Sequence, residues 1–274
     1  MDIQDLREAR KLLEEIYARY NRRELIHPDP LEFLWRYEKA VDREIVGLLA
    51  SSLAYGRVAA ILGSVERILG ELGPSPSGTL KELSGEDLFR MFPGFKHRFS
   101  TSREVTGMLY AASRLQEEWG SLGELFHRRL RESYGSLAAA LDSFVNMLLE
   151  MSGMERSSLL PRPARGSACK RLNLYLRWMV RRDEVDPGSW RHVDPSLLMV
   201  PLDVHMHEIG RAMGMTGRKS ADWTTAEEVT AWFRMVNPED PVKYDFALTR
   251  MGILDRGDDS LFRRLADEFF IDIE

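Results

Sequence analysis

The sequence predicts an all-α fold, and three observations predict it. Apolar residues recur at helical spacing along nearly the whole chain, as at Leu137, Leu141, Phe144 and Leu148. No segment shows the sustained strict alternation of a half-buried strand. Helix punctuation falls between the periodic stretches: Thr225 with Glu228 reads as a capping box, Asp240-Pro241 as an N-cap followed by an N1 proline, and Gly214 and Gly252 as stops.

In chain order, helical periodicity places helices near 2–22, 30–39, 42–55 and 57–72, and a Gly-, Pro- and Ser-rich break at 73–78 closes this group. Helices near 102–119, 122–134 and 136–151 follow, up to a second break at 152–166. One helix, 167–182, separates that break from a third at 183–201. The last helices are expected near 203–213, closed by Gly214; 225–236, opened by Thr225 and Glu228; 241–251, between Asp240-Pro241 and Gly252; and 260–270.

Composition narrows the classes. The 274 residues are 44% hydrophobic and 30% charged, which describes a chain able to bury a core and too apolar to be disordered. The longest apolar stretch, 45–54, is far shorter than the roughly 20 residues of a membrane span. Met1-Asp2-Ile3-Gln4-Asp5 lacks the basic start of a secretory signal, so a cytoplasmic protein is expected. One cysteine, Cys169, excludes an internal disulfide, a multi-cysteine zinc site and a four-cysteine iron-sulfur cluster.

The net charge of −5 hides a marked segregation. Seven cations and no acid lie between residues 161 and 182 (Arg162, Arg165, Lys170, Arg171, Arg177, Arg181 and Arg182), whereas 19 acids face 10 bases from Asp183 onward. On a helical wheel Lys170, Asn173, Arg177 and Arg181 form one narrow face opposite Leu172, Leu176 and Met179. That face is read as a stripe for phosphate, starting at a helix N-terminus just past Gly166-Ser167-Ala168, where free N–H groups also favour an anion. A solvated helix face is the alternative. Lys170 is the one lysine of the stripe in a chain with seven lysines and 31 arginines. Arginine stays protonated, so Lys170 is the candidate amine nucleophile.

The second candidate is Asp203, in Val200-Pro201-Leu202-Asp203-Val204-His205-Met206-His207. An aspartate directly before an amphipathic segment caps a helix, and the same carboxylate can serve as an anion in chemistry. The Asp-x-His-x-His string also suggests a metal site. On a helix, however, His205 and His207 point about 200° apart, so no metal ligand set is assigned.

These residues resemble a known group. The string around Asp203, followed by Gly210-Arg211-Ala212-Met213-Gly214, is similar to the catalytic-aspartate segment of the helix-hairpin-helix-GPD superfamily of DNA glycosylases, closest to its 8-oxoguanine members, including the archaeal branch. Lys170 occupies the place of the lysine of the bifunctional enzymes, N-terminal to the aspartate. The string Glu44-Ile45-Val46-Gly47-Leu48-Leu49-Ala50-Ser51-Ser52 is similar to the early barrel helix of that superfamily. Pro93-Gly94-Phe95-Lys96-His97-Arg98-Phe99 is similar to a segment before its middle helices. Only Gly166 stands where the superfamily has a Gly-x-Gly turn. The whole chain also looks like a bacterial family without an assigned function.

The resemblance implies a two-lobed helical fold, with a central barrel lobe at 42–182, a second lobe from 1–41 and 183–274, and a cleft between them. It implies a DNA glycosylase with AP-lyase activity acting in base excision repair on an oxidised, 8-oxoguanine-like purine in double-stranded DNA. Lys170 would attack the sugar and Asp203 would stabilise the cationic sugar and help to deprotonate the amine. Arg165, Gly166, Ser167, Arg171, Arg177 and Arg181 would contact DNA. No cofactor is implied, and a monomer is expected. Trp178, Tyr55 and Trp35 could each stack on a base, with a place in the core as the alternative for aromatic residues at helical spacing. Two other classes share parts of the pattern: a non-catalytic DNA-binding or damage-sensing protein, and a metal-dependent hydrolase using His205 and His207.

Overall fold

The computed structural model describes residues 3–254, and their order is almost wholly helical. The α-helices are α1 (Ile3–Tyr20), α2 (Ala40–Ser52), α3 (Val58–Leu72), α4 (Pro76–Glu82), α5 (Gly85–Met91), α6 (Ser102–Trp119), α7 (Leu122–Glu132), α8 (Leu137–Ser152), α9 (Lys170–Val180), α10 (Val204–Ala212), α11 (Trp223–Val236) and α12 (Asp245–Leu254). Between α5 and α6 lies a small antiparallel hairpin, β1 (Lys96–His97) and β2 (Ser100–Thr101), paired Lys96 to Thr101 and His97 to Ser100. Pro30–Arg36 is a 3-10 helix where the sequence predicts an α-helix. The expected helix at 260–270 lies outside the described residues.

α2 is the hub. It packs on α9, α4, α6 and the 30–36 turn, and its residues 44–52 are buried on every side. That explains why its sequence reads as a continuous apolar run and carries no stripe. α6 packs on α5, α7 and α8; α1 packs on α11 and α12, and α10 on α12. Leu141, Phe144 and Leu148 of α8 are at most 1% exposed, as their spacing predicts.

A buried carboxylate ties distant elements together. Glu44 Oε2 accepts from Gln116 Nε2 at 2.6 Å and Leu122 N at 2.9 Å; Oε1 accepts from Gly123 N at 2.9 Å and Trp190 Nε1 at 2.7 Å. The carboxylate thus caps α7 across the core, and four donors compensate its burial, which still pushes it above the usual carboxylate range.

The segment after α9 folds straight back onto it. Ser189 N and Trp190 N both donate to Met179 O, at 2.6 and 2.7 Å, and Asp183 Oδ2 accepts from Tyr17 Oη at 2.9 Å. Residues 183–201 contain no α-helix, as the sequence predicts.

Several local expectations need correction. α11 starts at Trp223 with Asp222 as its N-cap, so Thr225 is an acceptor's partner inside the first turn, donating its N–H to Asp222 Oδ1 at 3.0 Å. The reciprocal capping box occurs at Thr101 and Glu104, opening α6. Asp240 does not cap α12, which begins at Asp245; its carboxylate is taken by Arg181. Gly252 lies inside α12, whereas Gly214, at φ 64°, does follow the end of α10.

Candidate functional site: a lysine and an aspartate at a cleft

Lys170 and Asp203 meet because two helices start at the same place. The chain reaches α9 through a 3-10 turn (Pro163–Arg165), Gly166 at φ 77° and Cys169 at φ 50°. Ser167 Oγ accepts from Cys169 N at 3.1 Å, and Gly166 O accepts from Trp223 N at 3.3 Å, so this approach is pinned to the start of α11. Lys170 is the first residue of α9 and Asp203 is the N-cap of α10. Asp203 divides its two oxygens: Oδ1 accepts from Met206 N at 2.8 Å, and Oδ2 lies 3.4 Å from Lys170 Nζ. Cap and ion pair are therefore simultaneous, and neither side chain is fully buried, at 35% and 21% exposure.

The pair stands on the wall of a cleft of about 300 Å³. Tyr55 is its half-buried aromatic wall, Trp178 and the buried Phe246 are packed behind the lining, and Asp29 and Asp245 add acid. Its volume is at the lower end for ligand sites, and Asp29, Lys170, Arg177, Asp203, His205 and Asp245 put six ionisable groups in its lining. The Trp178 ring is 1% exposed, and its Nε1 has no hydrogen-bond partner among the described residues. Burial pushes Asp245 up to about 6 against the opposing pull of Arg177, and burial likewise raises Asp29, offset by the Leu31 N–H and Arg250. Neither Asp29 nor Asp245 was expected here; Asp29 announces itself only as the N-cap of a Pro-initiated turn, and Asp245 carries no local signal. Trp35 is elsewhere, donating from Nε1 to Val185 O at 2.8 Å with the Arg23 guanidinium 3.9 Å from its ring centroid.

The cationic stripe is not a surface. Arg177 and Arg181 are 3% and 4% exposed. Arg177 donates to Asp186 and Asp245, and Arg181 to Asp183, Asp186 and Asp240. Asn173, also on this face, is 1% exposed and donates to Ala168 O at 3.1 Å. The expectation that Arg177 and Arg181 meet phosphate is thus overturned: both find their anions in the acidic part of the same chain. Arg171 is committed too, donating to Ser52 O at 2.8 Å and to Ser158 O while lying over the Tyr55 ring. Arg165 and Gly166 are exposed, and Ser167 is half-buried.

The two histidines diverge. His205 borders the cleft, while His207 Nε2 is 3.0 Å from Arg218 O, beyond α10. Among the described residues no group of three or more His, Cys, Asp or Glu side chains is arranged to hold a metal ion.

A family described as "Protein of unknown function (DUF2400)" matches residues 29–254. No curated protein and no solved structure matches the chain.

Proposed function

The chain belongs to the DUF2400 family, and from its cleft we propose a DNA glycosylase with AP-lyase activity that removes an oxidised purine from double-stranded DNA. One observation carries the reading: an amine 3.4 Å from a carboxylate, both solvent-reachable, on the wall of a cleft of about 300 Å³ that Tyr55 also lines. The packing of α1, α10, α11 and α12 with one another, and of α2 with α4, α6 and α9, supports a two-lobed fold of the helix-hairpin-helix-GPD type, with the cleft between a lobe at 42–182 and one from 1–41 and 183–274. No helix among the described residues is long and apolar enough to cross a membrane, which is consistent with a cytoplasmic repair protein. The proposed enzyme acts as a monomer and needs no cofactor.

The target nucleotide must leave the duplex to reach the cleft, at a cost of a few kcal/mol. Asp203 Oδ2 takes the proton that the Lys170 ammonium sheds and passes it to water, so that Asp203 is a carboxylate again before the C1′–N9 bond breaks. The freed Nζ electron pair forms a bond to C1′ as the C1′–N9 bond breaks, and the base departs with that bonding pair and takes up a proton from water. The carboxylate, fixed by its cap to Met206 N, offsets the positive charge that develops on the sugar. The C1′-bound nitrogen then gives a proton to water, its electron pair forms the C1′=N bond of an iminium as the C1′–O4′ bond breaks, and O4′ takes up a proton; loss of a C2′ proton breaks the C3′–O bond, which expels the 3′ phosphate and cuts the strand.

Borohydride reduces the iminium to a stable amine, which makes the reading testable. Incubation with duplex containing 8-oxoguanine should leave a covalent protein–DNA complex, and Lys170→Gln should abolish it. An abasic duplex run in parallel separates base choice from lyase chemistry. A trapped complex that persists in Lys170→Gln, or none from the wild type on either substrate, overturns the proposal.

A further inference from the structure

Lys170 and Arg171 are consecutive on α9, so their side chains leave the helix about 100° apart. Lys170 lines the cleft with Leu174, Arg177 and Trp178 of the same helix, and Arg171 stands outside that lining. The Arg171 guanidinium is spent inside the protein. It donates to Ser52 O at 2.8 Å through one nitrogen and to Ser158 O through another. Ser52 is the last residue of α2, where the carbonyls have no partner within the helix and carry the negative end of its dipole. Ser158 lies between α8 and α9 and is itself held: Glu104 Oε1 accepts from Ser158 N at 3.3 Å and from Ser158 Oγ at 3.2 Å.

The same guanidinium closes a ring of contacts around the cleft wall. Its Cζ lies 5.0 Å from the centre of the Tyr55 ring. Tyr55 Oη is 2.8 Å from Ser100 Oγ, Ser100 Oγ is 3.2 Å from Ser158 Oγ, and Ser158 O returns to Arg171. Tyr55 Oη is also 2.8 Å from His97 O, and His97 Nε2 is 3.1 Å from Tyr55 O. The end of α2, the chain before α9 and the wall residue Tyr55 therefore all meet on Arg171, one position after the amine.

We infer that Arg171 is a positioning residue for the amine: forked between Ser52 O and Ser158 O against the Tyr55 ring, it fixes the first turn of α9 and with it the direction in which Lys170 enters the cleft. The chemistry of the amine rests on the glycosylase reading; the aim of its side chain does not. This turn needs a hold from outside. Its N-cap, Cys169, gives no side-chain cap and has φ 50°, a left-handed conformation that is costly for a residue with a side chain. Arginine suits the task because its rigid planar fork reaches two acceptors at once. Aim matters to rate, since a misplacement of about 1 Å costs about a hundredfold in a reaction that depends on approach.

The test uses the full chain and two readouts. The chain has seven lysines, so carbon-13 dimethylation gives few lines, and the Lys170 line is the one missing from Lys170→Gln. In the wild type this line should shift when Asp203→Asn removes the charge beside it. In Arg171→Met, which keeps the stem and loses every donor, the line should move to the position of solvated lysines and no longer respond to Asp203→Asn. Methylguanidinium added to Arg171→Ala should return the line towards its wild-type place, and methylammonium should not, which separates aim from general stability. A Lys170 line unmoved in Arg171→Met, or Arg171→Ala indifferent to methylguanidinium, overturns the inference. The second readout is borohydride trapping of an abasic duplex by the unmodified chain. Arg171→Met should lower the maximal rate about tenfold or more and leave the half-saturating duplex concentration within about twofold. A kept maximal rate with weaker binding and a salt slope reduced by about one would make Arg171 a phosphate contact and overturns the inference as well. A wild type that traps nothing discards the glycosylase reading, and the Lys170 line then decides on Arg171 by itself.

Discussion

Arg177 on α9 donates to the Asp245 carboxylate on α12 and, from Nε, to Asp186 at 3.2 Å, all three inside the protein. Removing the guanidinium would strand the buried Asp245 carboxylate and leave the buried Asp186 with Arg181 alone. Arg177→Ala should therefore destabilise by about 3–5 kcal/mol, seen as a melting temperature lower by about 10 °C. Arg177→Lys should recover only part of this, since an ammonium cannot fork between two acids. Wild-type stability in Arg177→Ala would show that the acids find other partners.

Asp203 combines a cap and an ion pair, and substitution can part them. Asparagine caps helices about as well as aspartate, so Asp203→Asn should melt within about 2 °C of wild type. Its trapping rate should nonetheless drop by about two orders of magnitude or more, for want of a charge matched to the developing cation. Asp203→Ala should lose both. Unaltered trapping in Asp203→Asn would reduce the residue to a cap.

The raised value of Asp245 has a defined pH signature. Burial pushes it up to about 6, above the value near 3.9 of an unfolded aspartate, so between these limits the folded state binds more protons. Its contribution to stability is therefore full in acid and is lost as pH rises from about 4 to about 6. Asp245→Asn stays neutral throughout. Urea unfolding at pH 4 and pH 7 should show the gap between variant and wild type moving in the variant's favour by about 1–3 kcal/mol as pH rises. A gap that does not change with pH would mean that Arg177 keeps Asp245 ionised in acid.

Cys169 adjoins Lys170 yet should be inert. The residue is 1% exposed, and burial pushes its thiol up to about 12. At pH 8 a thiol reagent should label the native chain only through opening of the α9 start, and should label one equivalent immediately in strong urea. Fast native labelling would show that this start is open to solvent.

The long amphipathic helices were legible because three or more turns repeat the same spacing, as α8 does through Leu141, Phe144 and Leu148. α4 and α5, seven residues each, offer fewer than two full turns, and α4 begins inside the 73–78 segment that reads as a break. The 96–101 hairpin is shorter still. The polar face of α9 was legible as a face. Its partners were not, because Asp186, Asp240 and Asp245 lie 5 to 68 positions away and only the fold brings them in. Asp203 as a cap follows from local sequence; its meeting with Lys170 across 33 residues followed from resemblance alone.

The Trp190 indole bonded to Glu44 has a consequence for the chain between Lys170 and Asp203. Because residues 183–190 are laid against α9 and the indole is anchored beneath α7, this connection works as a bracket that holds the chain after α9 to the rest of the core. Just beyond the anchored indole, Arg191 and His192 are exposed. A single tryptic cut after Arg191 would sever the polypeptide there and leave both halves clasped, the lysine on one fragment and the aspartate on the other, still facing each other.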